Sequence, residues 1–285
     1  MSDSDIDHVE DASEAATSSI TQSEFHEHLR SIRSASERQS ILALTRELTK
    51  LPVDKTAAAL ETSTAIAGVS LRAGIEFLRA APAAAEVLQA AELRSWGDLG
   101  RRIAMSDVET AVTFFAEGVS ELRTVPEAVV PSLFQLCSRQ ITLSVPIAID
   151  TLRCSPRLAS AVPVETLGSV LDIAAEIARR SAKHSAEFLK YTPEVVASLD
   201  RFKTPEVRQR GIELATEFAA RAGGIAADAW AALPASVASL KTTDALRLLN
   251  DSIRFLERGG GSALQVLITG GEILRTLPEI FSDWS

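Results

Sequence analysis

Apolar residues recur along this chain at helical spacing, and the stripes that they form repeat at a fixed interval. Residues 75–82 read IEFLRAAP, and residues 149–156 and 186–193 show the same order of apolar, charged and proline positions. The closing prolines of these three segments are 74 and 37 residues apart, which gives a period of 37. The same period predicts a further copy near residues 112–119, where Phe114 and Phe115 lie. A fixed period of this length is typical of arrays of stacked supersecondary units.

Each repeat begins with a predicted amphipathic helix. In the repeat that covers residues 182–199, Phe188, Val195 and Leu199 are spaced to share one buried face. Pro193 stands inside this stripe. Because proline lacks an N–H and its ring clashes with the preceding turn, we expect a kink or a restart of the helix there.

A second helix follows in each repeat. Thr204 is predicted as an N-cap and Pro205 as the first helical residue, because proline's fixed φ suits that position. Gly223 and Gly224 predict the end of this helix. The same kind of start is marked by prolines in four other repeats, which are Pro52, Pro126, Pro163 and Pro278.

These features predict an all-α fold. We expect residues 35–285 to form a right-handed α-solenoid of antiparallel helix pairs, similar to HEAT and TPR arrays, with about seven repeats. One repeat is 41 residues long, the first is degenerate, and the last is cut short at Ser285. The truncated last repeat favours a chain that continues as part of a longer protein. No segment alternates with period two for long enough to predict a strand.

Composition and charge divide the chain at about residue 34. Residues 1–34 hold eight acids and two bases of the chain, whose net charge is −9, so the remainder is close to neutral. This acidic tail has few large apolar side chains and is predicted to be disordered, with a possible short helix near its end. Aromatic residues are 5% of the chain, so the core must be aliphatic and rich in alanine, as suits closely packed helices.

The cellular compartment follows from the cysteines and the apolar runs. Two cysteines without CxxC spacing, in a chain of 285 residues, are typical of a reducing compartment without a disulfide framework. The first residues show no secretory signal, and no apolar stretch reaches the ~18–20 residues needed to span a bilayer. The chain is therefore predicted to be cytoplasmic.

Candidate chemistry is sparse along the chain. His26 and His28 point to different sides of a helix and are interpreted as surface residues, and His184 as a residue that solvates a helix start. Cys137 and Cys154 have no nearby histidine and are interpreted as small core residues. The run of three glycines at 259–261 has no preceding strand and is interpreted as a turn. No catalytic, cofactor-binding or metal-binding residue and no cofactor is predicted.

Basic residues recur late in the predicted second helices. They could form a ladder that binds nucleic acid or an acidic partner, or they could complement the helix dipole, which we favour. Aromatic residues for base stacking are scarce. The residues concerned are Arg101, Arg102, Arg139, Arg179, Arg180, Arg221, Arg254 and Arg258.

The segment EFLRAAP at 76–82, followed by ELRSWGDLG at 92–100, resembles a known bacterial family. It is similar to the helical repeat region that precedes the von Willebrand factor A domain in nitric-oxide-reductase activation proteins, over roughly residues 37–285. That resemblance implies an adaptor that works with a MoxR-type AAA+ ATPase. The metal-ion-dependent adhesion site of the family is not implied here, because the chain has no Asp-x-Ser-x-Ser segment.

We therefore expect a non-catalytic scaffold for protein–protein interaction, and not an enzyme. The expected partner is an AAA+ ATPase or a downstream von Willebrand factor A domain. One alternative is a helical-repeat protein that binds nucleic acid through the basic helix ends. A third hypothesis is an enzyme with its site in a groove of the array, which no residue pattern favours.

Overall fold

The computed structural model describes residues 35–276, in which helices are the regular structure. This confirms the predicted all-α class. The twelve α-helices of these residues are α1 (Ala35–Leu48), α2 (Val53–Ala67), α3 (Leu71–Ala85), α4 (Ala90–Ser106), α5 (Val108–Leu122), α6 (Val130–Ile141), α7 (Val145–Ala161), α8 (Val164–Ala178), α9 (Ala182–Asp200), α10 (Pro205–Val237), α11 (Thr242–Phe255) and α12 (Gly260–Thr276). The acidic tail of residues 1–34 and the helix predicted from Pro278 lie outside the described residues.

Helix starts follow the predicted proline signals. Pro52 and Pro163 immediately precede α2 and α8. Pro126 precedes a 3-10 turn at Glu127–Val129 that leads into α6. Thr204 is the N-cap of α10 and Pro205 is its first residue, as predicted. Proline suits these positions because the first N–H groups of a helix have no partner within the helix.

The helix does not restart at Pro193, which was one of the two outcomes expected there. Helix α9 runs from Ala182 to Asp200 with Pro193 inside it. At the equivalent Pro156 of α7, the hydroxyl of Ser155 donates to the carbonyl of Leu152 at 2.7 Å. That carbonyl is the one which the missing proline N–H would otherwise leave without a donor. The equivalent prolines of α3 and α10 are also inside their helices, and they are Pro82 and Pro234.

Helix α10 consists of two helices joined without a loop. Ala222 interrupts it with φ −139° and ψ 45°, next to Gly223 and Gly224, where the end of a helix is predicted. We call residues 205–221 the first arm of α10 and residues 223–237 the second arm. The first arm completes one predicted repeat, and the second arm begins the next.

The chain divides into two compact bodies. The N-terminal body ends at Arg123 and contains α1–α5. Helix α2 packs against α3 and α4, and α3 packs against α1 and α5. Its core centres on Trp96, which is fully buried, and on Phe115, whose ring centroid lies 5.2 Å from that of the indole. Gly100 allows this approach, because a Cβ there would lie 1.9 Å from the ring of Phe115.

The C-terminal body begins at Thr124 and contains α6–α12. Here too several helices contact the helix after next: α6 with α8, α7 with α9, α8 with α10, and α10 with α12. Phe188 and Trp230 stack with ring centroids 5.0 Å apart, and both are buried, as predicted for Phe188. The indole N–H of Trp230 donates to the hydroxyl of Thr192 at 3.1 Å. This bond joins α9 to the second arm of α10.

Candidate functional site

Ion pairs join equivalent positions of successive repeats in the N-terminal body. Arg72 of α3 contacts Glu109 of α5, and Arg123, the C-cap of α5, contacts Glu86, the C-cap of α3. Each pair spans 37 residues, which is the period read from the sequence. The side chains are more than half exposed, so the pairs contribute little to the stability of the fold. They do show how the helices are aligned.

Arginines in the C-terminal body cap helices of the next repeat. Arg139 at the end of α6 donates to the carbonyl of Ala175 in the last turn of α8, at 2.7 Å. Arg201, the C-cap of α9, donates to the carbonyls of Val237 and Ala238 at the end of α10. These carbonyls are among the last four of a helix, which lack partners within it. The guanidinium groups therefore stabilise the helix one repeat further along the chain.

The arginines of the basic ladder considered in the sequence analysis thus contact groups of the chain itself. Arg180 donates to the carbonyl of Ala220 at the end of the first arm of α10, at 3.5 Å. Other members contact acids or a ring of their own helix region, and these pairs are Arg101–Asp98, Arg179–Glu176, Arg221–Glu217, Arg254–Asp251 and Arg258–Phe255. We predicted that such cations complement their own helix dipoles, and the structure adds that some of them cap a neighbouring helix.

A polar groove lies between α8 and the first arm of α10. It has a volume of about 390 Å³ and is lined by carboxylates of Glu165, Glu213 and Glu217 and by the guanidinium of Arg208. Arg208 also contacts Asp200 at 3.0 Å. The groove therefore offers acceptors, a donor and an aliphatic floor, which suits an extended or helical peptide better than a small apolar ligand.

A smaller cleft, which we call the α7–α9 cleft, has a volume of about 150 Å³. Leu158, Leu189 and Pro193 line it with apolar surface. Thr151 lies at 4% exposure in its wall, and its hydroxyl has no hydrogen-bond partner. Its polar lining also includes Asp150, Cys154, Arg157 and Lys190.

The core interpretation of Cys154 is wrong, because this thiol is exposed. Cys154 lies three residues after the buried Thr151, at a position where α7 lines the cleft. Free cysteine is usually buried, yet the register of the helix puts this side chain where the surface is open. The cleft itself was missed from the sequence, although its signal is present: Phe77 and Phe188 correspond to Thr151 in the aligned repeats.

The other candidates lie largely as predicted. Cys137 is fully buried, its thiol is 3.8 Å from the carbonyl oxygen of Ala148, and burial raises its pKa. His184 lies in the first turn of α9, where its backbone N–H donates to the hydroxyl of Ser181, the N-cap. Its Nδ1 is buried without a hydrogen-bond partner, so the interpretation that its side chain solvates this helix start is wrong. Gly259 has a φ of 129° in the turn before α12, whereas Gly260 and Gly261 are the first residues of that helix, so the turn interpretation holds for Gly259 alone. His26 and His28 lie outside the described residues.

Within residues 35–276 no three His, Cys, Asp or Glu side chains converge in a way that could hold a metal ion. None of the helices in the same range is long and apolar enough to cross a membrane. Comparison with protein-family models, curated proteins and solved structures finds no significant match.

Proposed function

We propose that this chain is a non-catalytic helical-repeat scaffold for protein–protein interaction, with its helix pairs arranged as a right-handed α-solenoid. The observation that carries the proposal is the contact between equivalent positions one repeat apart. Arg72–Glu109 and Arg123–Glu86 are two such contacts in the N-terminal body. Arrays that repeat the same contact offer an extended surface, and binding to it uses shape, apolar area and charge placement.

The polar groove between α8 and the first arm of α10 is the surface that we propose for partner binding. Ser169 and Thr216 are exposed in its wall, so a partner side chain can reach them without disturbing the core. The carboxylates of Glu165 and Glu213 suit a partner segment that carries lysine or arginine. Charges at such a rim set orientation and association rate more than affinity.

From the resemblance, we propose a MoxR-type AAA+ ATPase or a downstream von Willebrand factor A domain as the partner. The experiment measures binding of the purified chain to such an ATPase by biolayer interferometry. Ser169→Arg and Thr216→Arg place bulk and positive charge in the polar groove, so we expect each to weaken binding about 10-fold or more. Ala235→Arg, at an exposed position of the second arm of α10, is the matched control and should bind like the wild type.

Two results would count against different parts of this proposal. Absence of binding to the ATPase and to the von Willebrand domain by the wild-type chain would overturn the choice of partner. Binding that Ser169→Arg and Thr216→Arg leave unchanged would overturn the choice of groove while leaving a scaffold role in place.

The nucleic-acid alternative stays a prediction. Its arginine ladder includes Arg139 and Arg180, which donate to carbonyls of neighbouring helices. Those bonds hold the guanidinium groups in the fold and give no specific support for phosphate binding. A filter-binding assay with a salt titration tests it, because phosphate contacts make affinity fall steeply as salt rises.

A further inference from the structure

One repeat of the chain lacks a ring that its neighbours have. Phe77, Phe114, Thr151 and Phe188 follow one another in steps of 37 residues and occupy the same position of successive repeats. The three phenylalanines are buried, with exposures of 0%, 5% and 0%. Replacement of a core ring by a threonine leaves unfilled space unless neighbouring groups collapse into it. Thr151 lines the α7–α9 cleft, which therefore lies at the position of the missing ring.

The hydroxyl of Thr151 is a second and independent sign of a ligand. Threonine hydroxyls inside helices commonly donate to the carbonyl four residues earlier, as Thr192 does to Phe188 and Thr216 does to Ile212. Thr151 is 4% exposed, and its hydroxyl has no hydrogen-bond partner. A buried polar group without a partner is unfavourable, and native structures usually satisfy it with a bound group or a water molecule.

The remaining lining defines what such a ligand would look like. Leu158 and Leu189, one from each helix, supply apolar walls for a hydrocarbon or aromatic body. Arg157 of α7 and Lys190 of α9 are exposed cations on opposite helices, and Asp150 is the one carboxylate among the lining residues. A negative group of the ligand would be attracted to this rim, because cations outnumber the carboxylate there.

We propose that the α7–α9 cleft binds a small aromatic carboxylic acid that carries a hydroxyl group. Its ring takes the place of the phenylalanine missing at position 151, its hydroxyl pairs with that of Thr151, and its carboxylate lies between Arg157 and Lys190. This site is separate from the polar groove, so it does not depend on the scaffold role. A ligand of this size has few atoms, and we expect micromolar to millimolar affinity.

Cys154 provides a reporter of occupancy, because it is exposed and lines the cleft. The experiment measures the alkylation rate of Cys154 in the full chain with iodoacetamide, a small neutral reagent. The probes are 4-hydroxybenzoate, benzoate and the cation 4-hydroxybenzylamine, each at matched ionic strength. We expect saturable protection by 4-hydroxybenzoate, about 10-fold weaker affinity for benzoate because the Thr151 hydroxyl stays unpaired, and no protection by the amine.

Variants at position 151 separate binding from folding. Thr151→Phe restores the ring found in the other repeats, so it should fill the cleft and abolish protection while the chain unfolds at the same or a higher denaturant concentration. Thr151→Val keeps the shape and removes the hydroxyl, so 4-hydroxybenzoate should then bind no better than benzoate. Lys190→Gln should weaken binding of the acid, whereas Lys183→Gln, at an exposed position of the same helix that does not line the cleft, should leave it unchanged.

Absence of saturable protection by either acid at millimolar concentration in the wild type would overturn the proposal. Equal protection in Thr151→Phe and in the wild type would do so as well, since the cleft would then not be the place of binding. Equal affinity for the acid and the amine would overturn the assignment of an acidic ligand.

Discussion

Glu86 accepts a hydrogen bond of 2.8 Å from the guanidinium of Arg123, and the two residues hold the same place in successive repeats. Each is the C-cap of a 15-residue helix, α3 and α5. At the other end of these helices, Arg72 contacts Glu109, and each is the second residue of its helix. Since both ends are joined between equivalent positions, α3 and α5 lie side by side without a shift along their axes.

This arrangement predicts that the charges of the Glu86–Arg123 pair can be exchanged. Arg123→Glu and Glu86→Arg each create a like-charge pair, and we expect each to lower the free energy of unfolding by about 0.5 kcal/mol because both sites are exposed. The double variant restores attraction and should recover most of that loss. Urea denaturation at low salt measures it, and the differences should shrink at high salt. If the double variant lost as much unfolding free energy as the two single variants together, the contact would not act in solution.

The cap formed by Arg201 predicts a larger effect. Arg201→Ala leaves the carbonyls of Val237 and Ala238 to water and removes the packing of the guanidinium on Phe202, whose ring centroid is 4.7 Å away. We expect a loss of about 1 kcal/mol in the free energy of unfolding, measured by urea denaturation. Arg201→Lys should recover only part of it, because an ammonium lacks the planar fork that reaches two carbonyls. An alanine variant as stable as the wild type would contradict a capping role.

Gly271 predicts an unusual response to alanine. In most helices glycine to alanine stabilises by roughly 0.5–1 kcal/mol. A Cβ at Gly271 of α12 would lie 2.5 Å from the carbonyl oxygen of Ser236, a backbone atom of the second arm of α10. Gly271→Ala must therefore push the two helices apart, and we expect it to destabilise by about 1–3 kcal/mol.

Gly261 of the same helix is the control for this substitution. No atom lies within 4 Å of a Cβ placed there, so Gly261→Ala should be neutral or stabilising. The two urea midpoints measure the difference. If both alanine variants were equally stable, the close approach of α12 to the second arm of α10 would be wrong.

The two thiols should react at very different rates. Cys154 is exposed and Cys137 is buried, so a thiol reagent should label one thiol per native chain rapidly and two after unfolding. Cys154→Ser should remove the rapid phase, and Cys137→Ser should leave it. Mass spectrometry of the labelled peptides assigns the phases, and rapid native labelling of Cys137 would contradict its burial.

Burial of Cys137 also predicts a pH dependence of stability. Burial raises the pKa of this thiol in the folded state, so the folded chain keeps a proton that the unfolded chain loses above the ordinary value of about 8.5. The stabilising contribution is therefore fully present below that pH and is lost as the pH rises beyond it. Relative to Cys137→Ala, the wild type should lose about 1.4 kcal/mol of unfolding free energy between pH 7 and pH 9.5. A difference that stays constant over this range would show that the thiol ionises in the folded state.

The sequence by itself determined the helical class, the period and the starts of several helices. These features depend on local chemistry: Pro52 and Pro163 suit the position just before a helix and Pro205 suits the first helical position, because their missing N–H needs no partner there. The burial of Trp96 and Trp230 can also be predicted from the sequence, since both residues fall on apolar stripes. A period of 37 also indicated which positions of neighbouring repeats would correspond.

Only the tertiary structure decided how those positions meet. Helix α9 continues through Pro193 although local preference favours a break. Arg201 caps a helix one repeat further along the chain, and Cys154 is exposed beside a cleft. Each of these outcomes depends on the rotation and spacing of a helix dozens of residues away, which local propensity does not specify.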